Sequence, residues 1–138
     1  MVELIIAAVK AALKEAFGDG YAIHTEEVPQ EAGFFITCPD LAENLFVGKR
    51  YFRQNRLCVR YIPKTEEKQK ECTDTAERLL QCLEYIMVSG EEKPMRGTKM
   101  KCEITDGILK FFVNYDCFVS KSQQQVPMES MKTGINMN

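Results

Sequence analysis

Val2, Ile5, Ile6, Val9, Leu13, Ala16 and Phe17 recur at spacings of three and four, with Glu3, Lys10, Lys14 and Glu15 largely off that stripe. Such a pattern predicts an amphipathic helix, and Gly18-Asp19-Gly20 supplies its stop. Period-two alternation follows. Tyr21, Ile23 and Thr25 face one way and Ala22, His24 and Glu26 the other, and after a turn from Pro29 to Gly33 a second strand carries Phe34, Ile36 and Cys38. Pro39-Asp40 is expected to end it. From Leu45 to Ile62 β-branched and aromatic residues predominate, with a change of phase near Asn55 that predicts a long strand with a bulge, or two strands.

Pro63 closes this stretch, and Thr65 with Glu66 and Glu67 predicts the start of a second helix. Cys72, Ala76, Leu79, Leu80, Leu83, Ile86 and Met87 form its expected apolar face, ended by Ser89-Gly90 and Pro94. Met100, Cys102 and Ile104 then lead into Asp106-Gly107, a hairpin signature. Leu109, Phe111, Val113, Tyr115, Cys117 and Val119 make an unbroken odd-numbered face beyond it. The predicted order is α-β-β-β-α-β-β, an α+β fold whose antiparallel sheet has two helices packed on one face. It occupies residues 1–120 as a single domain, and residues 121–138, rich in Ser, Gln, Met, Lys and Asn, are expected to be a disordered tail.

The composition suits a globular domain of 138 residues with a formal charge of −2. The apolar stretch from Leu4 to Val9 is too short to span a membrane and lacks the flanks of a signal peptide, so the expected location is the cytoplasm. Cys38, Cys58, Cys72, Cys82, Cys102 and Cys117 contain no Cys-x-x-Cys pair, which favours free, buried thiols over a disulfide framework or zinc site. One histidine, His24, excludes a His-rich metal centre within a chain. Phosphate-cradling glycine motifs and His-Glu-x-x-His are absent too. No catalytic residue, cofactor or metal is therefore predicted, and an enzyme pairing Cys38 or Cys58 with His24 stands only as a minor alternative.

Lys49, Arg50, Arg53, Arg56 and Arg60 follow one another without an intervening acid and alternate with Tyr51, Phe52 and Tyr61. Such a strand suits a protein interface, a solvated sheet edge, or the stacking and phosphate contacts of a nucleic-acid-binding module over residues 49–61. The net negative charge weighs against nucleic acid. Glu66, Glu67, Glu71, Asp74 and Glu77 on the second helix, diluted by Lys68, Lys70 and Arg78, offer a counterpart. A basic strand of one subunit facing the acidic helix of the next is an arrangement a head-to-tail ring can use.

Three stretches carry a family likeness. They are Ala16-Phe17-Gly18-Asp19 with Tyr21; Gly48-Lys49-Arg50-Tyr51-Phe52-Arg53 running to Tyr61-Ile62-Pro63; and Arg96-Gly97-Thr98-Lys99-Met100 with Asp106-Gly107-Ile108-Leu109 and Phe112-Val113-Asn114-Tyr115. Over about residues 1–120 the chain resembles a small prophage family of Gram-positive bacteria grouped with the phage tail terminators. The resemblance implies a non-enzymatic virion protein with two helices on a sheet, assembling as a hexameric ring on the tail tube. Such a ring ends tube polymerisation and presents a surface to head-completion proteins. Its implied partners are further copies of itself, the tube protein and a head-completion protein, with no membrane and no cofactor. It is expected in the host cytoplasm during assembly and in the virion tail thereafter. Lys49, Arg50, Arg53, Arg56, Arg60, Arg96 and Lys99, with Glu67, Glu71 and Asp74, are the candidate subunit or tube contacts. Gly48 and Gly97 are expected to serve backbone geometry. A double-stranded-RNA-binding module shares the helix, three strands and helix, but acids occupy Glu66 and Glu67 where it needs cations.

Overall fold

The computed structural model describes residues 1–26 and 31–121. The tail predicted beyond Ser120 lies outside the described residues except for Lys121, as do Pro29 and Gln30 of the turn predicted at Pro29 to Gly33. The elements are α1 (Val2–Phe17), β1 (Ile23–His24), β2 (Gly33–Val47), β3 (Arg50–Ile62), α2 (Lys68–Cys82), β4 (Tyr85–Ile86), β5 (Met95–Arg96), β6 (Thr98–Thr105), β7 (Ile108–Asn114) and β8 (Cys117–Ser120). The main sheet runs β1-β2-β3-β7-β6, with β8 also pairing β3, while β4 and β5 form a separate two-stranded sheet.

The described residues fall into two compact units, residues 1–41 with 54–116 and residues 42–53 with 117–121. In the first, β3 and β7 pair antiparallel with Leu57 opposite Val113, Val59 opposite Phe111 and Tyr61 opposite Leu109. Opposed residues share a sheet face. All six are fully buried, in one cluster with Ile5, Val9 and Leu13 of α1 and Cys72 and Leu79 of α2. Both helices therefore cover the same face, giving the α+β arrangement that the periodicity predicts. Each large apolar side chain buried here contributes about 1.5–3 kcal/mol.

Several details differ from the sequence expectation, among them the face predicted to run unbroken from Leu109 to Val119, which is interrupted after Asn114 and resumes at Cys117 as β8. Pro39-Asp40 does not end β2, which continues to Val47. Beyond its short pairing with β1, β2 is flanked by β3 alone among the described strands, and proline is tolerated on such an edge because no ladder donor is required there. The stretch from Leu45 to Ile62 divides at Gly48, whose φ of 58° suits the turn, rather than at Asn55. The sheet is mixed, since Ile23-His24 runs parallel to Phe34-Phe35.

The second helix is also shorter than its apolar pattern. It begins at Lys68, not Thr65, and ends at Cys82, leaving Ile86 in β4 and Met87 beyond it. Tertiary hydrogen bonds account for the end: the Tyr115 hydroxyl donates to the Leu83 carbonyl at 2.6 Å and the Gly97 amide to the Glu84 carbonyl at 2.6 Å. Asp106-Gly107 forms the predicted turn, with φ of 54° and 76° at its two residues.

Candidate functional site

The predicted cations divide between the two units. In the second, β8 continues along β3, with Arg50 opposite Ser120, Phe52 opposite Phe118 and Arg53 opposite Cys117. Phe118 packs against Phe46 and Phe52 with ring centroids 5.0 and 5.3 Å away. The Arg50 guanidinium lies 4.5 Å from the Phe118 centroid and 5.9 Å from that of Phe46, a cation–π arrangement on an exposed surface. Arg53 meets Glu43 at 3.5 Å, and Lys121 forms a second ion pair with the same carboxylate while sitting 4.4 Å over the Tyr51 ring. Lys49, in the turn, is exposed.

Leu45, Phe46 and Val47 are 61%, 59% and 58% exposed, and Phe118 46%. Phe46, in ring contact with Phe118, gives one face of the strand an exposed apolar surface, and Leu45 and Val47 project from the opposite face; exposed apolar surface of this kind suits an interaction site. The candidates drawn from charge overlooked these residues, although the unbroken run Leu45-Phe46-Val47 before a glycine turn is a signal that could have found them.

In the first unit, Arg56 donates to the Asn114 side-chain oxygen at 2.5 Å and to the Lys99 carbonyl at 3.4 Å, with its guanidinium 5.2 Å from the Phe112 ring centroid. Arg60 lies opposite Lys110 in the β3–β7 pairing. Because Leu57, Val59 and Tyr61 point to the core, the alternating Arg56, Cys58 and Arg60 occupy the face that the helices leave uncovered. Lys101 and Lys110 join that face, with Glu103 paired to Lys101 at 3.0 Å. Neither lysine was among the sequence candidates, because cross-strand neighbours are invisible before register is known. Arg96 pairs with Glu84 at 3.8 Å, and Lys99 occupies a left-handed backbone position, φ 51°, within the irregular pairing between Thr98 and Lys101.

The acidic candidates separate as well. Glu67 flanks the start of α2 and Asp74 lies on its surface, both exposed. Glu71 is held internally by Tyr61, Lys64 and Thr65. Together with Tyr21, Lys70 and Arg78, Glu67, Glu71 and Asp74 line a polar groove of about 260 Å³. A second groove, about 280 Å³, lies between α1 and the chain after α2, lined by Ala8, Ala11, Ala12, Glu15, Tyr85 and Met87 among others.

Cys58 and Cys72 are buried, and Cys38, Cys82, Cys102 and Cys117 are partly so. Burial pushes the Cys58, Cys72 and Cys102 thiols up, and Cys82 to about 11, which keeps them protonated and weakly nucleophilic at neutral pH. Among the described residues no group of three or more His, Cys, Asp or Glu side chains is placed to hold a metal, and no helix is long and apolar enough to cross a membrane.

No curated protein matches the chain significantly. A family model described as phage tail terminator protein does match, over residues 4–127. That span includes all of α1 but its first two residues, all of α2, every described strand and both exposed surfaces described above. The chain belongs to the phage tail terminator family, and is a structural component of phage tails.

Proposed function

We propose that this protein caps the tail tube as a ring of identical subunits, six in number, ending tube polymerisation and preparing the tail for joining to the head. The observation that carries this reading is the family match across residues 4–127, nearly the whole chain. Capping requires one ring face to reproduce the tube's axial interface while the other refuses a further tube subunit. It requires no bond to be made or broken, so the role is non-enzymatic. The partners are neighbouring copies, the tube protein and a head-completion protein, met in the host cytoplasm before the particle matures.

The charged candidates Lys49, Arg50, Arg53, Arg56, Arg60, Arg96, Lys99, Glu67 and Asp74 serve this reading as steering and register contacts. A nucleic-acid role for strand 49–61 is less well supported, because the chain as a whole carries a net charge of −2. Deleting the gene from its phage and measuring tails by negative-stain microscopy tests the proposal. Over-long, headless tubes are expected, whereas normal tails joined to heads would overturn it.

A further inference from the structure

Two apolar surfaces of this chain have matching chemistry and lie in different units. One is the β2–β3 turn region, where Leu45, Phe46 and Val47 stand exposed and Arg50 is stacked on Phe46 and Phe118. The other is the groove beside α1, floored by Ala8, Ala11 and Ala12, walled by Tyr85 and Met87, and edged by Glu15. Alanines on the helix leave room for a bulky side chain to approach the backbone. Tyr85 and Met87, 55% and 60% exposed, can close over it.

We propose that the Phe46 end of one copy docks into the α1 groove of a second copy, with Arg50 meeting Glu15. This rests on the ring reading above. Among the described residues Glu15 is the one charged side chain lining the groove; Glu43, Lys49 and Arg50 flank the apolar run, and because Glu43 is already paired with Arg53 and Lys121, the charge that run offers a partner is positive, complementary to the groove in sign as well as in polarity. A second copy is the occupant because the complementary surfaces are carried by one polypeptide in equal number. The contact is heterologous: each copy inserts one end and receives another, so repetition closes a ring when the rotation fits.

A contact of this size favours assembly on the tail over assembly in free solution. A stable pair buries about 800 Å² on each partner, and an insertion of a few side chains falls short of that. Repeated around a symmetric tube end, the same contact gains by effective concentration. Among the described residues Arg50 sits over aromatic rings rather than in an ion pair, which leaves its charge available to a partner's carboxylate.

Reciprocal charge exchange tests the contact in the intact phage. Arg50→Glu and Glu15→Arg are introduced singly and together, with tail length and head attachment scored by microscopy and the fold of each purified protein checked by circular dichroism. Each single variant should fold and lose about tenfold or more in capped tails, because the defect recurs at every subunit. The double variant should recover most of that loss. Phe46→Asp should lose capping without recovery by either charge change. Neutral single variants, or a double variant no better than the singles, would overturn the docking while leaving the terminator reading intact. Normal tails in the gene deletion would overturn the terminator reading itself.

Discussion

The phenol of Tyr61 donates to a carboxylate oxygen of Glu71 over 2.5 Å, tying the end of β3 to the first turn of α2. The same carboxylate accepts the Lys64 amide at 2.6 Å and, through its other oxygen, the Thr65 amide at 2.9 Å and hydroxyl at 2.6 Å. One side chain thus gathers the donors of the connection between strand and helix. Burial alone would raise the Glu71 pKa, but the hydrogen bonds from Thr65, Tyr61 and Lys64 outweigh it and bring it down to about 2.

A carboxylate with a depressed folded-state pKa stabilises the protein above its unfolded value, and that stability is lost as pH falls through the folded value. For Glu71 the loss falls between about pH 4.5 and pH 2. Urea titrations across this range should show stability declining on acidification. Glu71→Gln should lower stability by about 1–3 kcal/mol at pH 7 through unmatched donors, and should flatten the acid limb.

Tyr115→Phe removes the donor to the Leu83 carbonyl, leaving a buried acceptor unmatched beside the end of α2. The expected cost is about 1–3 kcal/mol, read as a lower denaturation midpoint with an unchanged slope.

Gly97→Ala places a methyl group 2.7 Å from a Val113 methyl and 2.8 Å from the Leu83 carbonyl oxygen. Backbone at one of these contacts cannot rotate aside, so overpacking should destabilise by about 1–3 kcal/mol. Thermal unfolding measures it. Alanine at Gly18, whose added carbon meets nothing within 4 Å, controls for space, since its φ of 84° leaves backbone strain as the only cost.

Arg56→Lys keeps the charge but loses the planar group that reaches both Asn114 and the Lys99 carbonyl and stacks on Phe112. A loss of about 1 kcal/mol is expected. Arg60→Lys, with no such hydrogen bonds or ring contact to lose among the described contacts, should change stability by less. Chemical denaturation of the two variants side by side checks the difference.

Strong local periodicity made much of this protein readable in advance. The stripe from Val2 to Phe17, the Asp106-Gly107 turn and the first part of the odd-numbered face, Leu109, Phe111, Val113 and Tyr115, took their expected form, but that face does not run unbroken to Val119: the strand stops at Asn114 and resumes at Cys117. In each, a repeat in the sequence matches a repeat in backbone geometry, so burial follows from pattern. The errors fell where two local signals competed. Leu83, Ile86 and Met87 continue a helical spacing, yet Tyr115 and Gly97 capture the Leu83 and Glu84 carbonyls and turn the chain into a strand.

Asn55 shows the same limit more finely. Its side-chain amide donates to the Tyr115 carbonyl at 2.8 Å while its own carbonyl accepts the Tyr115 amide at 2.9 Å, so a side chain takes a place in the ladder where β7 gives way to β8. Sequence marked the irregularity, but the strand that breaks is the partner sixty residues away.

Helix faces, the hairpin and the cationic strand followed from the sequence by itself, because spacing, turn chemistry and charge are properties of neighbours along the chain. The sharing of cations between Glu43, Asn114 and open surface, the gathering of Lys101 and Lys110 beside Arg60, and the groove between α1 and β4 arose only from strand register and helix packing. Those contacts join residues far apart in the chain, and which of them form depends on the energy of the whole packed core rather than on any local preference.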